Sequence, residues 1–269
     1  MSVLTIVNQK GGVGKTTTAV TLAHGFALSG KRVLLIDLDS QGNIADCLGL
    51  PEGGDLYDLI LPRKENDPEL LVQNAAFDSG RPGLDVIRSD KTTATLKQML
   101  AGDDFKVYRL HDALEYSTYD LVIMDCAPSV DLLQTAAIVA AYYVLVPTRL
   151  DQLAMKGVRD VLKSMKTVER RIGREIRLAG ILPTFYDRVT SESYEQLKHL
   201  AKAFGRQVLP PIPLDTRCRV ASRHGKTLWE FAQDGRALKG YVNENGDRIG
   251  GYQQVLQRIQ GIAVGGKGL

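Results

Sequence analysis

The sequence predicts an α/β fold, a single doubly wound domain with a mostly parallel central sheet flanked by helices. Short, nearly continuous apolar runs at 3–7, 32–38, 121–124 and 142–146 have the composition of strands buried on both faces. Segments with apolar residues at three- and four-residue spacing separate them, and strand–helix alternation of this kind implies parallel pairing. No linker, repeat or low-complexity stretch divides the 269 residues, so the whole of 1–269 reads as one domain.

The first apolar run (Val3, Leu4, Ile6, Val7) leads into KGGVGKTT, residues 10–17, which opens an amphipathic segment. Gly11, Gly12 and Gly14 carry no Cβ, so consecutive N–H groups of the loop, through Val13 to Thr17, can turn inward around a polyphosphate. A helix beginning near Lys15 adds its unpaired N–H groups and the positive end of its dipole. Lys15 is placed to reach the β and γ phosphates, and the Thr16 hydroxyl to ligate Mg²⁺. The loop departs from the general pattern in having Gln9 where glycine is usual and a second lysine, Lys10, inside it.

Ala19, Leu22, Ala23, Phe26 and Ala27 predict a helix over 16–28, ended by Gly30. The strand over 32–38 brings Asp37 and Asp39 to its C-terminal end, where alternation puts both on one side to orient a hydrolytic water. Either carboxylate also fits as the cap of the next helix. Residues 49–83, rich in Gly, Pro, Asp and Asn, read as short helices and loops with no assigned chemistry. A strand over 84–88, helices over 91–100 and 106–116, and the strand in YDLVIMDCAPS (119–129) follow. That strand ends in Asp125, four apolar residues followed by the carboxylate expected near Mg²⁺.

A strand over 142–146, a helix over 151–172 and a strand over 176–182 come next. The helix carries an apolar stripe and an opposite face with Lys163, Lys166, Arg170, Arg171 and Arg174, which reads either as solvated or as a polyanion surface. Pro183-Thr184-Phe185-Tyr186-Asp187 leads to a helix over 191–204. The prolines of 210–231 preclude a central strand and leave a loop at the nucleotide end of the sheet, suited to touching a base through backbone groups. A tail helix spans 252–264, and the closing GGKGL is expected to fray.

The formal charge is +3, yet residues 1–150 carry −6 (13 Lys+Arg against 19 Asp+Glu) and residues 151–269 carry +9 (21 against 12). The first half therefore reads as the nucleotide and metal face, and the second as the base-side loop with a basic surface for a polyanion. Cys47, Cys126 and Cys218 form neither a disulfide framework nor a zinc pattern. No apolar run is long enough to span a bilayer and the N-terminus enters a strand directly, so a soluble, cytoplasmic protein is expected.

KGGVGKTT, LLIDLDSQGN (34–43), DLVIMDCAPS (120–129), the turn at 185–187 and IPLDTRCRVASRHGK (212–226) together resemble the ParA/MinD superfamily of deviant Walker A ATPases, within the P-loop NTPases. The similarity is greatest to the ParA or Soj branch that segregates plasmids and chromosomes. The resemblance implies ATP and Mg²⁺ as cofactors and a homodimer in the ATP state. Lys10 would cross to the partner's phosphates and Lys15 would hold phosphate in its own subunit. Thr16 would ligate Mg²⁺, Asp39 would orient the water, Asp37 would support metal and water, and Asp125 would stand in the second metal shell. Tyr186, Asp187, Pro213 and Asp215 are the candidates on the adenine side. Candidate DNA contacts are Arg188, Lys198, Lys202, Arg217, Arg219, Arg223 and Lys226.

The implied function is ATP-gated, non-specific DNA binding, released by hydrolysis that a ParB-like activator stimulates, on the nucleoid. Ser40 replaces the proline usual before QGN, IPLD (212–215) replaces IPRN, and NENGDRIGG (243–251) reads as an insertion. No N-terminal helix-turn-helix is expected, and hence no operator recognition. A ParA-like ATPase that positions a protein cargo would share the same core. A MinD-like membrane switch would need a basic amphipathic tail, whereas Val255, Leu256, Ile259 and Ile262 stand with only Arg258 and Lys267 for basic residues, so no stable membrane association is expected. The cysteines lack the spacing of an iron–sulfur ATPase.

Overall fold

In the computed structural model, residues 1–61, 67–243 and 245–263 are described. The chain runs β1 (Ser2–Ile6), α1 (Lys15–Leu28), β2 (Val33–Asp37), α2 (Asn43–Leu48), α3 (Asp55–Ile60), α4 (Leu71–Ala75), β3 (Phe77–Arg81), β4 (Leu84–Ile87), α5 (Thr92–Met99) and α6 (Arg109–Ala113). It continues through β5 (Leu121–Asp125), α7 (Leu132–Ala140), β6 (Tyr143–Arg149), α8 (Ala154–Ile172), β7 (Arg177–Thr184) and α9 (Ser191–Phe204). Last come α10 (Arg217–Arg223), α11 (Leu228–Phe231), α12 (Arg236–Lys239), the hairpin β8 (Tyr241–Val242) and β9 (Arg248–Ile249), and α13 (Tyr252–Ala263).

Among the described residues seven strands form the central sheet, in the order β3-β4-β2-β5-β1-β6-β7. All pairs are parallel except β3 with β4. The expected doubly wound α/β class is therefore the observed one. The strands are apolar throughout because both faces are covered. Along β2, Leu34 and Ile36 enter one core while Val33 and Leu35 enter the other. The first core takes in α3 to α9, and the second takes in α1, α2 and α10 to α13.

Several elements differ from expectation. Within 49–83, Phe77–Arg81 is an edge strand rather than a loop. Its antiparallel ladder breaks register between Asp78 and Arg81, where Gly80 takes φ 70°, so no alternating apolar pattern marked it. Helix α7, rich in alanine, was not predicted. The segment 210–231 is a loop only to Thr216, after which α10 and α11 form. The extended part runs beside β7 with bonds from the Leu209 and Ile212 N–H groups to Ile181 and Pro183 and bridges at Val208 and Pro213. Pro210, Pro211 and Pro213 lack N–H groups, which keeps it from becoming an eighth strand. The tail helix is seen to Ala263; Val264 and the GGKGL stretch expected to fray lie outside the described residues.

Gly49, which ends α2, and Gly225, which follows α10, both adopt left-handed backbone and meet directly; a Cβ on Gly225 would lie 2.5 Å from the Gly49 Cα. Gly173, equally left-handed, faces open space. Gly173→Ala is expected to cost about 1 kcal/mol and Gly225→Ala about 3 kcal/mol or more in urea unfolding, the difference measuring the backbone contact.

Candidate active site

The phosphate loop joins β1 to α1 at the C-terminal edge of the sheet, between strands that continue to opposite sides, which is where open α/β sheets bind ligands. Gly14 caps α1 at φ 83° without a side-chain cap, so the first-turn N–H groups of α1 keep their donors for a ligand. The loop is tied down from below. Buried Asn8 accepts the Lys10 N–H at 3.0 Å and donates to the Pro147 carbonyl at 2.8 Å, and Thr184 Oγ1 donates to the Val13 carbonyl at 2.9 Å.

The two lysines of the loop point to different places. Lys15 is buried, donates to the Lys10 carbonyl at 3.3 Å and lines the cavity. Burial lowers its pKa against the opposing pull of Asp125. Lys10 instead pairs with Asp151, just ahead of α8, and does not line the cavity.

Asp37 and Asp125 end β2 and β5 as register partners, and both are buried. Asp37 accepts the Asp39 N–H at 2.9 Å and the Ile44 N–H at 3.0 Å, fixing the turn that presents Asp39. Burial, reinforced by the charge of Asp125, pushes the Asp37 carboxyl well above the usual range. Asp125 accepts the Thr16 hydroxyl at 2.6 Å through Oδ2, while its buried Oδ1 has no partner. Burial pushes it up to about 7, with the Thr16 bond and Lys15 pulling down. A hydroxyl, an orphaned carboxylate oxygen and a second buried carboxylate form a hard-oxygen set that fits Mg²⁺. Among the described residues no group of three His, Cys, Asp or Glu side chains is arranged to hold a metal ion by itself.

A cavity of about 390 Å³ is lined by loop residues 11–17 together with Asp39, Asn43, Cys47, Pro128 and Phe185. Gly14, Thr17 and Phe185 also line a second cavity of about 420 Å³, walled by Pro213, Asp215, Arg219 and Tyr252. The paired cavities are sized for a triphosphate and a base. Tyr252 closes the second, its hydroxyl 2.9 Å from Thr18 Oγ1.

Of the adenine-side candidates, Pro213 and Asp215 line this cavity, but Tyr186 and Asp187 do not; Phe185 takes that place with a left-handed φ of 55°. The Tyr186 ring instead packs edge-on against Tyr241, and Asp187 caps the following turn by accepting the Val189 N–H. Asp215 is held by Arg217 and the Ala237 N–H, which outweigh burial and lower its pKa. Arg217 is thereby committed to Asp215 and Asp234, and the Arg188 guanidinium lies over the Tyr241 ring. Lys198 and Lys202 lie on α9, in the first helical layer, while Arg217, Arg219, Arg223 and Lys226 lie in and after α10, in the second. The DNA candidates thus divide between two faces. Asn8 and Asp151 act through fold contacts that no motif spacing reveals, whereas Asn43 and Phe185, which stand inside the quoted motifs, reach the cavity wall.

A family model described as an AAA domain matches residues 1–178. The chromosome partitioning protein ParA of Caulobacter vibrioides is 36% identical, with 85% of this chain and 86% of that protein covered. The chain belongs to the ParA/Soj family of ATPases. The chromosome-partitioning ATPase Soj of Thermus thermophilus is likewise 36% identical, over 88% of this chain and 91% of that one. A solved Mycobacterium smegmatis structure, described as cobyrinic acid a,c-diamide synthase with bound ATP analog and magnesium, is 32% identical (TM-score 0.71, covering 83% of this chain and 92% of that one). An ATP complex of a Cyanothece McdA variant, 22% identical, shares the fold at a TM-score of 0.80, covering 100% and 98%. As a ParA/Soj-family ATPase, the chain uses ATP and Mg²⁺.

In ligand-free protein, the raised Asp125 carboxyl keeps its proton in the folded state between pH 3.8 and about 7, where the unfolded chain has lost it. The folded state binds more protons there, so this group's contribution to stability falls as pH rises through that window. Asp125→Asn removes that dependence. Urea unfolding without nucleotide should show the variant gaining on the wild type from pH 4.5 to pH 8, on the order of a few kcal/mol.

Proposed function

We propose that this chain is an ATP-switched partition ATPase. Two copies close around ATP, the closed dimer holds DNA without sequence preference, and hydrolysis stimulated by a ParB-like partner releases it. The names of the Caulobacter and Thermus relatives support the partition role. The observation that carries the dimer is the divergence of the two loop lysines, one inside the phosphate cavity and the other parked on Asp151 outside it. A lysine that belongs to the loop yet misses its own cavity is free to serve a second one.

In this reading Lys15 and the α1 N–H groups hold the phosphates, and Lys10 leaves Asp151 for the partner's nucleotide. Asp39, on the cavity wall, orients the attacking water, and Asp37 fixes Asp39 through its N–H. Thr16 and Asp125, with Asp37 behind them, would hold Mg²⁺, which supplies charge neutralisation on the phosphate oxygens. The base lies against Phe185, Pro213 and Tyr252. Residues 1–150 then carry the phosphate chemistry and 151–269 the base wall and the DNA surface, within one domain. Among the described residues no helix is long and apolar enough to cross a membrane. The working location in this reading is the nucleoid.

Purified protein is expected to retard random-sequence duplex DNA only with ATP and Mg²⁺, and to lose the complex as salt is raised. Equal retardation without nucleotide, or ATP-dependent liposome binding in its place, would overturn the reading. Asp39→Ala should retain ATP and dimerise on a sizing column while steady-state hydrolysis falls about 100-fold or more; unchanged turnover removes Asp39 from its role.

A further inference from the structure

Helix α8 presents its polar face in a regular way. Lys156, Arg159, Lys163, Lys166 and Arg170 follow one another at three- and four-residue steps, and all five are exposed. At 100° per residue they fall within an arc of about 80°. The buried stripe of Ala154, Val158, Val161, Met165 and Val168 lies opposite, on the sheet. The row therefore points straight away from the core and extends about 21 Å at 1.5 Å per residue.

These cations are uncommitted. Among the described residues none of the five makes an ion pair, in contrast to Arg217, Arg81 and Arg88, which are all spoken for. Arg170 only donates back to the Lys166 carbonyl. The two acids of the helix, Asp160 and Glu169, are half-buried outside the row, and Glu169 is occupied by the Ile176 N–H at 2.8 Å. A straight row of like charges that forms no ion pairs repels itself and suits an anion of matching linear shape.

We infer that the α8 row, rather than the α10 cluster, is the surface that lies along the phosphate backbone of duplex DNA. The inference rests on the proposed ATP-gated DNA binding and locates it. A duplex carries one phosphate per about 1.7 Å of axis, so a 21 Å row meets charge along its whole length. Lys198 and Lys202 of α9, both exposed, belong to the same helical layer. The row is also wired to the nucleotide. Asp151, three residues ahead of α8, holds Lys10 of the phosphate loop, and Gly157 inside the helix packs beside the Asn8 side chain that anchors the same loop. Release of Lys10 toward a partner's ATP thus acts on the end of α8 itself.

The test uses the full chain with ATP and Mg²⁺ on two fluorescent 30-base-pair duplexes of unrelated sequence, titrated across salt concentrations. Lys163→Ala/Lys166→Ala is expected to bind both duplexes about 10-fold more weakly. The slope of log affinity against log salt should be shallower by about 2, with basal hydrolysis and melting temperature unchanged. Lys163→Arg/Lys166→Arg should bind as the wild type. Arg223→Ala/Lys226→Ala, at the end of α10 and just after it, should retain affinity within about twofold. An α8 alanine variant that binds as the wild type, while the α10 variant fails, overturns the α8 assignment and leaves the partition reading standing. The same holds if the α8 variant keeps DNA but loses binding to anionic vesicles or polyglutamate. A wild-type chain that binds neither duplex under any nucleotide condition overturns both.

Discussion

Two carboxylates sealed side by side at the ends of β2 and β5 are the constraint on which the rest of the site depends. Asp37 and Asp125 are register partners in the middle of an apolar sheet, where charge is expensive. The fold offsets that cost in different ways. Asp37 is given two backbone N–H groups and becomes a fixed post for the turn after β2. Asp125 receives one hydroxyl and keeps one oxygen bare. Lys15 is held in the same low-dielectric pocket with its own charge disfavoured by burial. The ligand-free site is thus electrostatically unfinished, and an ion pair arriving as metal and triphosphate completes it. Binding and stability are coupled for that reason.

How much of this could be read from the sequence depends on how local the cause is. The phosphate loop, Asp37, Asp39 and Asp125 were legible because strand termini and a glycine loop fix their places through short-range geometry. The central parallel strands were legible because burial on both faces leaves nothing but apolar residues. Edge strand β3 was not, since its bulge and single well-buried Ser79 break the alternation that betrays a strand. Phe185 was overlooked in favour of its neighbours because only the three-dimensional turn, with its left-handed backbone, decides which ring meets the cavity. The basic candidates after β7 divide across two layers, Lys198 and Lys202 on α9 and Arg217 to Lys226 in and after α10, while the α8 row, evenly spaced over 15 positions, shows its coherence only once its opposite face is seen buried.

Besides the shared sheet, polar contacts join the second half of the molecule to the first. His24 of α1 meets Thr227 Oγ1 at 2.7 Å, Trp229 Nε1 donates to the Thr21 carbonyl at 2.7 Å, and Arg81 reaches Glu230 together with the Leu48 and Gly225 carbonyls. These tie α10 and α11 to the helix that begins at the phosphates and to the end of α2. The base wall is consequently held rigidly relative to the loop, as a site that must recognise both ends of one nucleotide requires.

The two borders of the sheet have a consequence for how copies of this chain can meet. On one side, β3 is short and kinked by its bulge; on the other, β7 is shadowed by a segment whose prolines supply too few donors to template another strand. Neither border offers a clean ladder, so growth of the sheet from one molecule into the next is blocked at both ends. In the proposed ATP dimer, copies would meet above the strand ends instead, where association can be made conditional on a small molecule and undone by its chemistry rather than proceeding irreversibly through the backbone.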